Sequence, residues 1–501
     1  MFGVGFSAIA NPIAVFLILL GSVLGIFFGA VPGMTSSMGI ALVLPVTYTM
    51  GIVDGMAILL GIYIGSISGG LITAILFNIP GTPASIATTF DGYPMTLKGQ
   101  GGKALRVGMF YSFLGGMFSL FVLFFVSPPI AHFALKFGSV EYFSIGLLSL
   151  MLISSLSGKD LVKGIVSASI GVMLTTFGMA PIDSVKRYTF GFSVLNAGFQ
   201  LLPVLIGVYA VMEILKSAEK VDEPNAFARA PEYKTKGLGV TWQEFKEQFW
   251  NYLRSSMIGV AIGVLPGLGA TISNILSYTI ARDSSKHPEL FGTGIIDGLI
   301  ASETANNAVS GGAIVPMLTM GIPGDAGTAM LLAAFMLHGI TPGPLLFREY
   351  GDVVYAIFAI LIIANVITFL LQIYGLKAFV KLLDVPKQYL YPIIIVLAII
   401  GAFGLNNRLF DVFCIFVFAI IGYLLDKYNF PLAPLVLGFV IGPIVELNLR
   451  RGLMSTYGNF LAFFTRPISG VVLGITLLML FWSIAKTLRQ HHGNGEVKQH
   501  A

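Results

Sequence analysis

"AILFNIPGTPASIATTFDGYPM", Ala74 to Met95, follows an almost unbroken apolar run and then breaks it with Pro80, Gly81 and Pro83. Asn78, Thr82, Ser85, Thr88 and Thr89 line the break. A helix that has only to cross a bilayer avoids both features. Proline removes a backbone donor and glycine admits left-handed angles, so each leaves peptide groups without partners. At membrane depth such groups are tolerated only where protein or a watery cavity satisfies them. The stretch therefore reads as a broken or re-entrant helix built around something that binds.

The rest of the chain places this break in lipid. Of 501 residues, 56% are hydrophobic and 11% charged, and the mean hydropathy is +0.87; soluble domains carry roughly 25% charged residues. The first charged side chain is Asp54. The N-terminal "MFGVGFSAIANPIAVFLILLG" lacks a basic leader and a convincing small-residue cleavage site, so its apolar run is expected to stay as a span. A net charge of +5 suits loops facing an anionic leaflet rather than nucleic-acid binding. The lone Cys414 excludes an intrachain disulfide framework and gives no metal cluster.

Apolar segments of about 20 residues lie near 12–31, 104–130, 199–216, 352–375 and 464–485. Shorter ones lie near 36–50, 55–76, 140–156, 161–180, 388–403, 409–425 and 432–447. The expected fold is an all-α polytopic membrane protein with about 10–14 transmembrane segments, counting broken helices and re-entrant hairpins.

One polar stretch, Lys216 to Arg254, divides the chain near its midpoint. It runs from "KSAEKVDEPNAFARAPEYKTKG" to "TWQEFKEQFWNYLRSS". The latter sets Trp242, Phe245, Phe249, Tyr252 and Leu253 at helical spacing, which fits an amphipathic helix on the membrane interface or a solvated linker with a short surface helix. The expected organisation is a first half at 1–215 with a broken-helix core at 20–95, then a linker at 216–256. A second half follows at 257–485 with its core at 257–347, and a polar tail at 486–501.

The two halves repeat. "GIFFGAVPGM" from Gly25 matches "GVAIGVLPGL" from Gly259, and "GIVDGM" from Gly51 matches "GIIDGL" from Gly294. "SGG" at Ser68 recurs at Ser310, and "IPG" at Ile79 recurs at Ile322. The first pair is offset by 234 residues and the second and last by 243, so one nine-residue insertion near "RDSSKHPEL" accounts for the difference. Duplicated halves with glycine- and proline-broken segments at matching positions point to a secondary transporter and to its binding site. If every apolar segment between 12 and 216 crosses once, seven crossings separate the copies, and the repeat is inverted. Lys377, Lys381 and Lys387 in one loop, and Lys486 with Arg489 after the last span, can share the cytoplasmic side; Arg450 and Arg451 then fall outside, against the trend.

Each half carries two breaks: "PGMTSS" and "NIPGTPAS" in the first, "PGLGATISN" and "GIPGDAGT" in the second. A helix restarting after a break presents free N–H groups and partial positive charge, which can hold an anion without a buried lysine. Helix-end carbonyls and Ser, Thr and Asn oxygens suit Na⁺. The candidate solute-binding residues are Thr35, Ser36, Asn78, Pro80, Gly81, Thr82, Ser85, Thr271, Ser273, Asn274, Pro323 and Gly324. The candidate Na⁺ positions are Gly33, Gly267, Asn307 and Asp325. Asp325, which matches Thr82 in the first copy, favours a cation or proton. Asp297 and Glu303 are costly in a membrane and keep H⁺ coupling open as the alternative. Asn306 and Asn307 read either as site amides or as helix–helix hydrogen bonds. Lys98, Lys103 and Arg106 read as positive-inside anchors, and His338 as structural.

Other classes fit less well. "IPGDAG" resembles the aspartate loop of intramembrane proteases, but no second, similarly set aspartate accompanies it, and a paired-carboxylate mechanism needs two. No zinc spacing or phosphate-binding loop is present, so no enzymatic activity and no cofactor is expected. A channel, or a binding-protein-independent carrier, with re-entrant loops is the alternative.

Three ordered blocks carry a resemblance: "GAVPGMTSSMGIALVLPVTY", "GIYIGSISGGLITAILFNIPGTPASIATTFDGYPM", and "IGVLPGLGAT" with "SETANNAVSGGAIVPMLTMGIPGDAGTAMLLAAFMLHGITPGP". Over nearly its whole length the chain resembles the large membrane subunit of the bacterial tripartite tricarboxylate transporter family. That resemblance implies uptake of a carboxylate such as citrate across the bacterial inner membrane, driven by an ion gradient. It implies two partners, a small membrane subunit and a periplasmic solute-binding protein. By analogy with other binding-protein-dependent secondary transporters, it also implies an elevator-like movement of the hairpins.

Overall fold

The computed structural model describes residues 11–156, 161–219, 237–383 and 387–497. Among these, seven helices are long and apolar enough to cross a membrane, and six shorter apolar helices accompany them. Strand is confined to two residues each of β1 (Gly178–Met179) and β2 (Lys186–Arg187), paired antiparallel in one loop. The protein is all-α and polytopic, as its composition demands.

The first half begins with α1 (Pro12–Ala30), whose first turn is fixed by Pro12 and by the Asn11 side chain accepting from the Ile13 amide. After the break, α2 (Ser36–Thr47) starts under Thr35, whose hydroxyl accepts from the Met38 amide. Next come α3 (Ile52–Gly69) and α4 (Leu71–Phe77), which form a nearly continuous rod. Asn78 ends the rod in a left-handed conformation, with φ 57°. The chain then turns through Pro83–Ser85 into α5 (Ile86–Leu97) and the long α6 (Gly101–Ala134). Helices α7 (Ser139–Leu156) and α8 (Leu161–Thr175) follow. A further rod contains α9 (Leu201–Leu205), a π-helical stretch at Ile206–Val211 and α10 (Met212–Ala218).

The second half follows. Helix α11 (Trp242–Val264) opens on a capping box in which Thr241 and Glu244 satisfy each other's backbone amides. It does not stop at Arg254: the polar "TWQEFKEQFWNYLR" is the first half of a helix that continues into the apolar stretch before the second PG turn. Residues 220–236 of the expected linker lie outside the described residues. Then come α12 (Gly269–Asp283), α13 (Ile296–Met320) ended by left-handed Gly321, and α14 (Ala326–Leu337). The remainder comprises α15 (Leu346–Glu349), α16 (Gly351–Leu382), α17 (Lys387–Asn406), α18 (Leu409–Lys427), α19 (Leu432–Ser455), α20 (Ala462–Thr465) and α21 (Pro467–Val497). The last helix runs through the start of the expected polar tail.

Helix α13 was not among the apolar segments read from the sequence. Ser302, Glu303, Thr304, Asn306, Asn307 and Ser310 lower its hydropathy, yet every residue from Gly298 to Thr319 is buried. It is sheathed by protein and faces no lipid, so it can carry polar side chains that a lipid-facing span could not.

Glycine sets how closely the central helices approach. A Cβ on Gly21, Gly25 or Gly29 of α1 would come within 2.2, 2.5 and 2.2 Å of the α3 carbonyl oxygens of Ile58, Ile62 and Ser66. At the matching positions, a Cβ on Gly259 or Gly263 of α11 would lie 2.6 and 2.7 Å from the α13 carbonyls of Ala305 and Val309. Small residues at intervals of four let backbones touch, which is how helices associate where lipid removes the hydrophobic drive.

Candidate functional site

The two IPG turns each seat on the break of their own half. At the first tip, a Cβ on Gly81 would meet the Gly29 carbonyl oxygen at 2.2 Å and the Gly70 Cα at 2.8 Å. At the second, a Cβ on Gly324 would meet the Gly263 carbonyl oxygen and the Ala313 Cα, both at 2.6 Å. The Gly267 amide, in the break after α11, donates to the Gly324 carbonyl at 2.7 Å. Thr73 in α4 donates to the Ala30 carbonyl at 3.1 Å, holding the first break in turn. Any side chain at either tip glycine would push the tip off its seat.

Each tip also reaches into the opposite half. At the first, the Ala87 amide donates to Asn274 Oδ1 at 2.8 Å, and the Asn274 amide group donates to the Ser302 carbonyl at 3.2 Å. Ser273 beside it donates to the Ala305 carbonyl at 3.2 Å. Thr82 and Ser85 hydroxyls lie 3.3 Å apart, both buried. At the second tip, Asp325 caps α14: its Oδ1 accepts from the Thr328 amide at 2.7 Å, and its Oδ2 accepts from the Tyr63 hydroxyl of α3 at 3.0 Å. A Cβ on Gly327 would meet the Tyr63 ring and, at 3.1 Å, the Ser36 hydroxyl of α2.

The predicted residues thus gather into two clusters. Gly81, Thr82, Ser85, Ser273 and Asn274 form one; Ser36, Gly267, Gly324 and Asp325 form the other. Pro323 is buried in the second tip, and Pro80 is half-buried in the first. Asn78 contributes its left-handed backbone, with its side chain exposed. Gly33 and Gly267 both need positive φ, 88° and 81°, a region that glycine enters without penalty. A Cβ on Gly33 would lie 3.1 Å from Glu213 Oε1. Thr35 is occupied as a cap, and its hydroxyl lies 2.9 Å from that of Ser37. Asn307 donates to the Glu303 carbonyl at 3.1 Å.

Side chains already satisfy one donor at three of the four restarting helices: Thr35 at α2, Asn274 at α5 and Asp325 at α14. The start of α12, at Gly269 and Thr271, has no side-chain cap. A helix start of that kind has first-turn N–H groups suited to an anion.

Residue-by-residue reading of the sequence missed four groups. Tyr63, Ser112, Asp91 and Tyr278 all make bonds between segments that are distant in the chain. Asp91 is the clearest: its carboxylate accepts from the amides of Gly292, Gly294 and Ile295 at 3.0, 2.7 and 3.1 Å, and from the Tyr278 hydroxyl at 3.0 Å. It fastens α5 to the loop that launches α13. A lone acid one turn before a proline in an apolar stretch was the available signal.

Comparison with known proteins gives a consistent picture. The model of the tripartite tricarboxylate transporter TctA family matches residues 15–437. An uncharacterized 52.8 kDa protein in the TAR-I ttuC' 3'region of Agrobacterium vitis is 34% identical over 485 residues, covering 97% of this chain and 96% of that protein. An uncharacterized protein in the TAR-II ttuC' 3'region of the same organism is 37% identical over 231 residues, 46% of this chain and 96% of that protein. No solved structure matches.

Proposed function

Because the chain belongs to the tripartite tricarboxylate transporter TctA family, we propose that it is the permease through which such a transporter moves a carboxylate, citrate or a related acid, across the bacterial inner membrane. As a member of that family it is a multi-pass membrane component of tricarboxylate transport. The finer reading is ion-gradient-driven uptake, with a periplasmic solute-binding protein delivering the solute and a small membrane subunit completing the assembly. Na⁺ is the coupling ion in this reading, with Gly33, Gly267, Asn307 and Asp325 as candidate ligands; H⁺ is the alternative.

One observation carries it. Two PG tips, one from each half, rest on the broken helix of their own half and bond across to the other, the first at Asn274 of α12 and the second at Tyr63 of α3. Such an arrangement brings restarting helix ends and neutral oxygens together where a solute and its ion can bind cooperatively. The first turn of α12 is the place for a carboxylate, and the oxygens around the tips are the place for the ion. If the tips open and close over this site, alternating access follows from an elevator-like movement of the tip-bearing core.

The test is uptake of labelled citrate into proteoliposomes holding this chain and its small partner, with the binding protein outside. Saturable uptake that requires the binding protein and an imposed Na⁺ gradient supports the reading. Uptake that runs downhill without the binding protein or any ion gradient favours a channel.

A further inference from the structure

Glu303, in the middle of α13, is fully buried. Its oxygens accept from the Thr88 hydroxyl of α5, from the Ser112 hydroxyl of α6 at 2.8 Å and, at 3.5 Å, from the Asn307 amide group. No Lys, Arg or His forms an ion pair with it among the described residues. Asn306 lies three residues further along the same helix, where side chains of an α-helix are neighbours. The Asn306 amide nitrogen donates to the Ile67 carbonyl at 3.2 Å, while its oxygen Oδ1, closed to solvent, has no donor among the described residues.

A carboxylate that ionises in a buried place without a positive partner is costly, and so is a buried acceptor without a donor. Here the two stand three residues apart on α13, and one cation between them answers both. We propose that Glu303, Thr88, Ser112 and Asn306 hold a monovalent cation of Na⁺ size. A carboxylate, two hydroxyls and an amide oxygen are hard donors; a hydroxyl that gives its hydrogen to the carboxylate keeps lone pairs for an ion beside it. A single carboxylate among neutral oxygens suits an alkali ion. No group of three His, Cys, Asp or Glu suited to a transition metal occurs among the described residues.

The site has no twin in the other half, because the position 243 residues before Glu303 is Leu60. Its ligands come from α5, α6 and α13, so the ion ties the helix leading out of the first tip to the buried centre of the molecule. Its role as coupling ion rests on the transport reading above; binding itself does not.

The test is thermal unfolding of the purified full-length chain at pH 8, with NaCl replacing choline chloride at constant ionic strength and a parallel KCl series. The expected result is a saturable rise in the unfolding midpoint that Na⁺ produces and choline does not. Glu303→Gln should raise the half-maximal Na⁺ concentration by about tenfold or more, and Ser112→Ala and Asn306→Ala by about three- to tenfold. If Glu303→Gln yields no folded protein, the other two variants decide. A wild-type midpoint indifferent to Na⁺ overturns the proposal, as do variants with the wild-type half-maximal concentration. Because no solute or partner is present, a chain that binds Na⁺ here yet takes up no carboxylate refutes the transport reading alone. Carboxylate uptake without a Na⁺-dependent midpoint refutes the ion site alone.

Discussion

At the scale of single residues, the tips depend on what is missing as much as on what is present. Gly81→Ala would force a methyl to within 2.2 Å of the Gly29 carbonyl oxygen, and overpacking of this kind costs about 1–3 kcal/mol. We expect Gly81→Ala to lower the thermal midpoint and to cut citrate uptake at least severalfold, and Gly324→Ala to behave alike. Open-space Gly51, with nothing within 4 Å of its added Cβ, should tolerate alanine in the same assays. Tyr63→Phe takes the Tyr63 donor from half-buried Asp325 Oδ2, and a lost hydrogen bond of this kind costs about 0.5–1.5 kcal/mol. Its uptake should fall while the amount inserted holds; wild-type uptake would show that Tyr63 does not position Asp325. The sequence exposed Pro80, Gly81, Pro323 and Gly324 because proline and glycine act locally. Tyr63 and Asp91 were hidden because their partners lie 262 and about 200 residues away, and no local pattern records such a bond.

At the scale of elements, the breaks are the working parts. Asn78 and Gly321 end the rods in left-handed backbone, and Ser85 and Asp325 precede the restarts. Replacing Pro80-Gly81 or Pro323-Gly324 with Ala-Ala restores good helix formers where the chain must turn. Such variants should insert normally, as judged by membrane yield and detergent-resistant monodispersity, and lose uptake; normal uptake would remove the tips from the mechanism. The breaks were legible in outline, since proline and glycine mark them in both halves. Helix α13 was not, because Glu303, Asn306 and Asn307 make it too polar for a lipid-facing span. Only its complete enclosure, by α3, α5, α6, α11 and α12 among others, reconciles that polarity with the membrane. Helix α11 is one rod from Trp242 to Val264, so its charged first half and the apolar stretch after it are continuous.

At the scale of the whole molecule, the repeated sequence blocks raise the question of orientation. If the halves are inverted, Lys98, after α5, and Thr341, after α14, end on opposite faces of the membrane. Single cysteines at Lys98 and Thr341 on a Cys414→Ser background should then react with an impermeant maleimide from opposite sides; labelling from one side would make the repeat parallel. The overall class was legible from composition, because no soluble protein could bury so much apolar surface. The joining of the halves was not, since Asn274 with Ala87 and Tyr63 with Asp325 meet only in three dimensions. The central claim is that the tips and restarting helices of both halves enclose the carboxylate. Half-buried Ser36 belongs to the second cluster and half-buried Thr271 lies two residues before Ser273 of the first, so their cysteine variants, again on Cys414→Ser, report on it most directly. The measurement is the rate of maleimide labelling in proteoliposomes with and without citrate and related di- and tricarboxylates, Na⁺ present throughout. A carboxylate that slows labelling severalfold at both positions is the predicted result. Rates unchanged at both positions by every carboxylate, in protein that still takes one of them up, would contradict it.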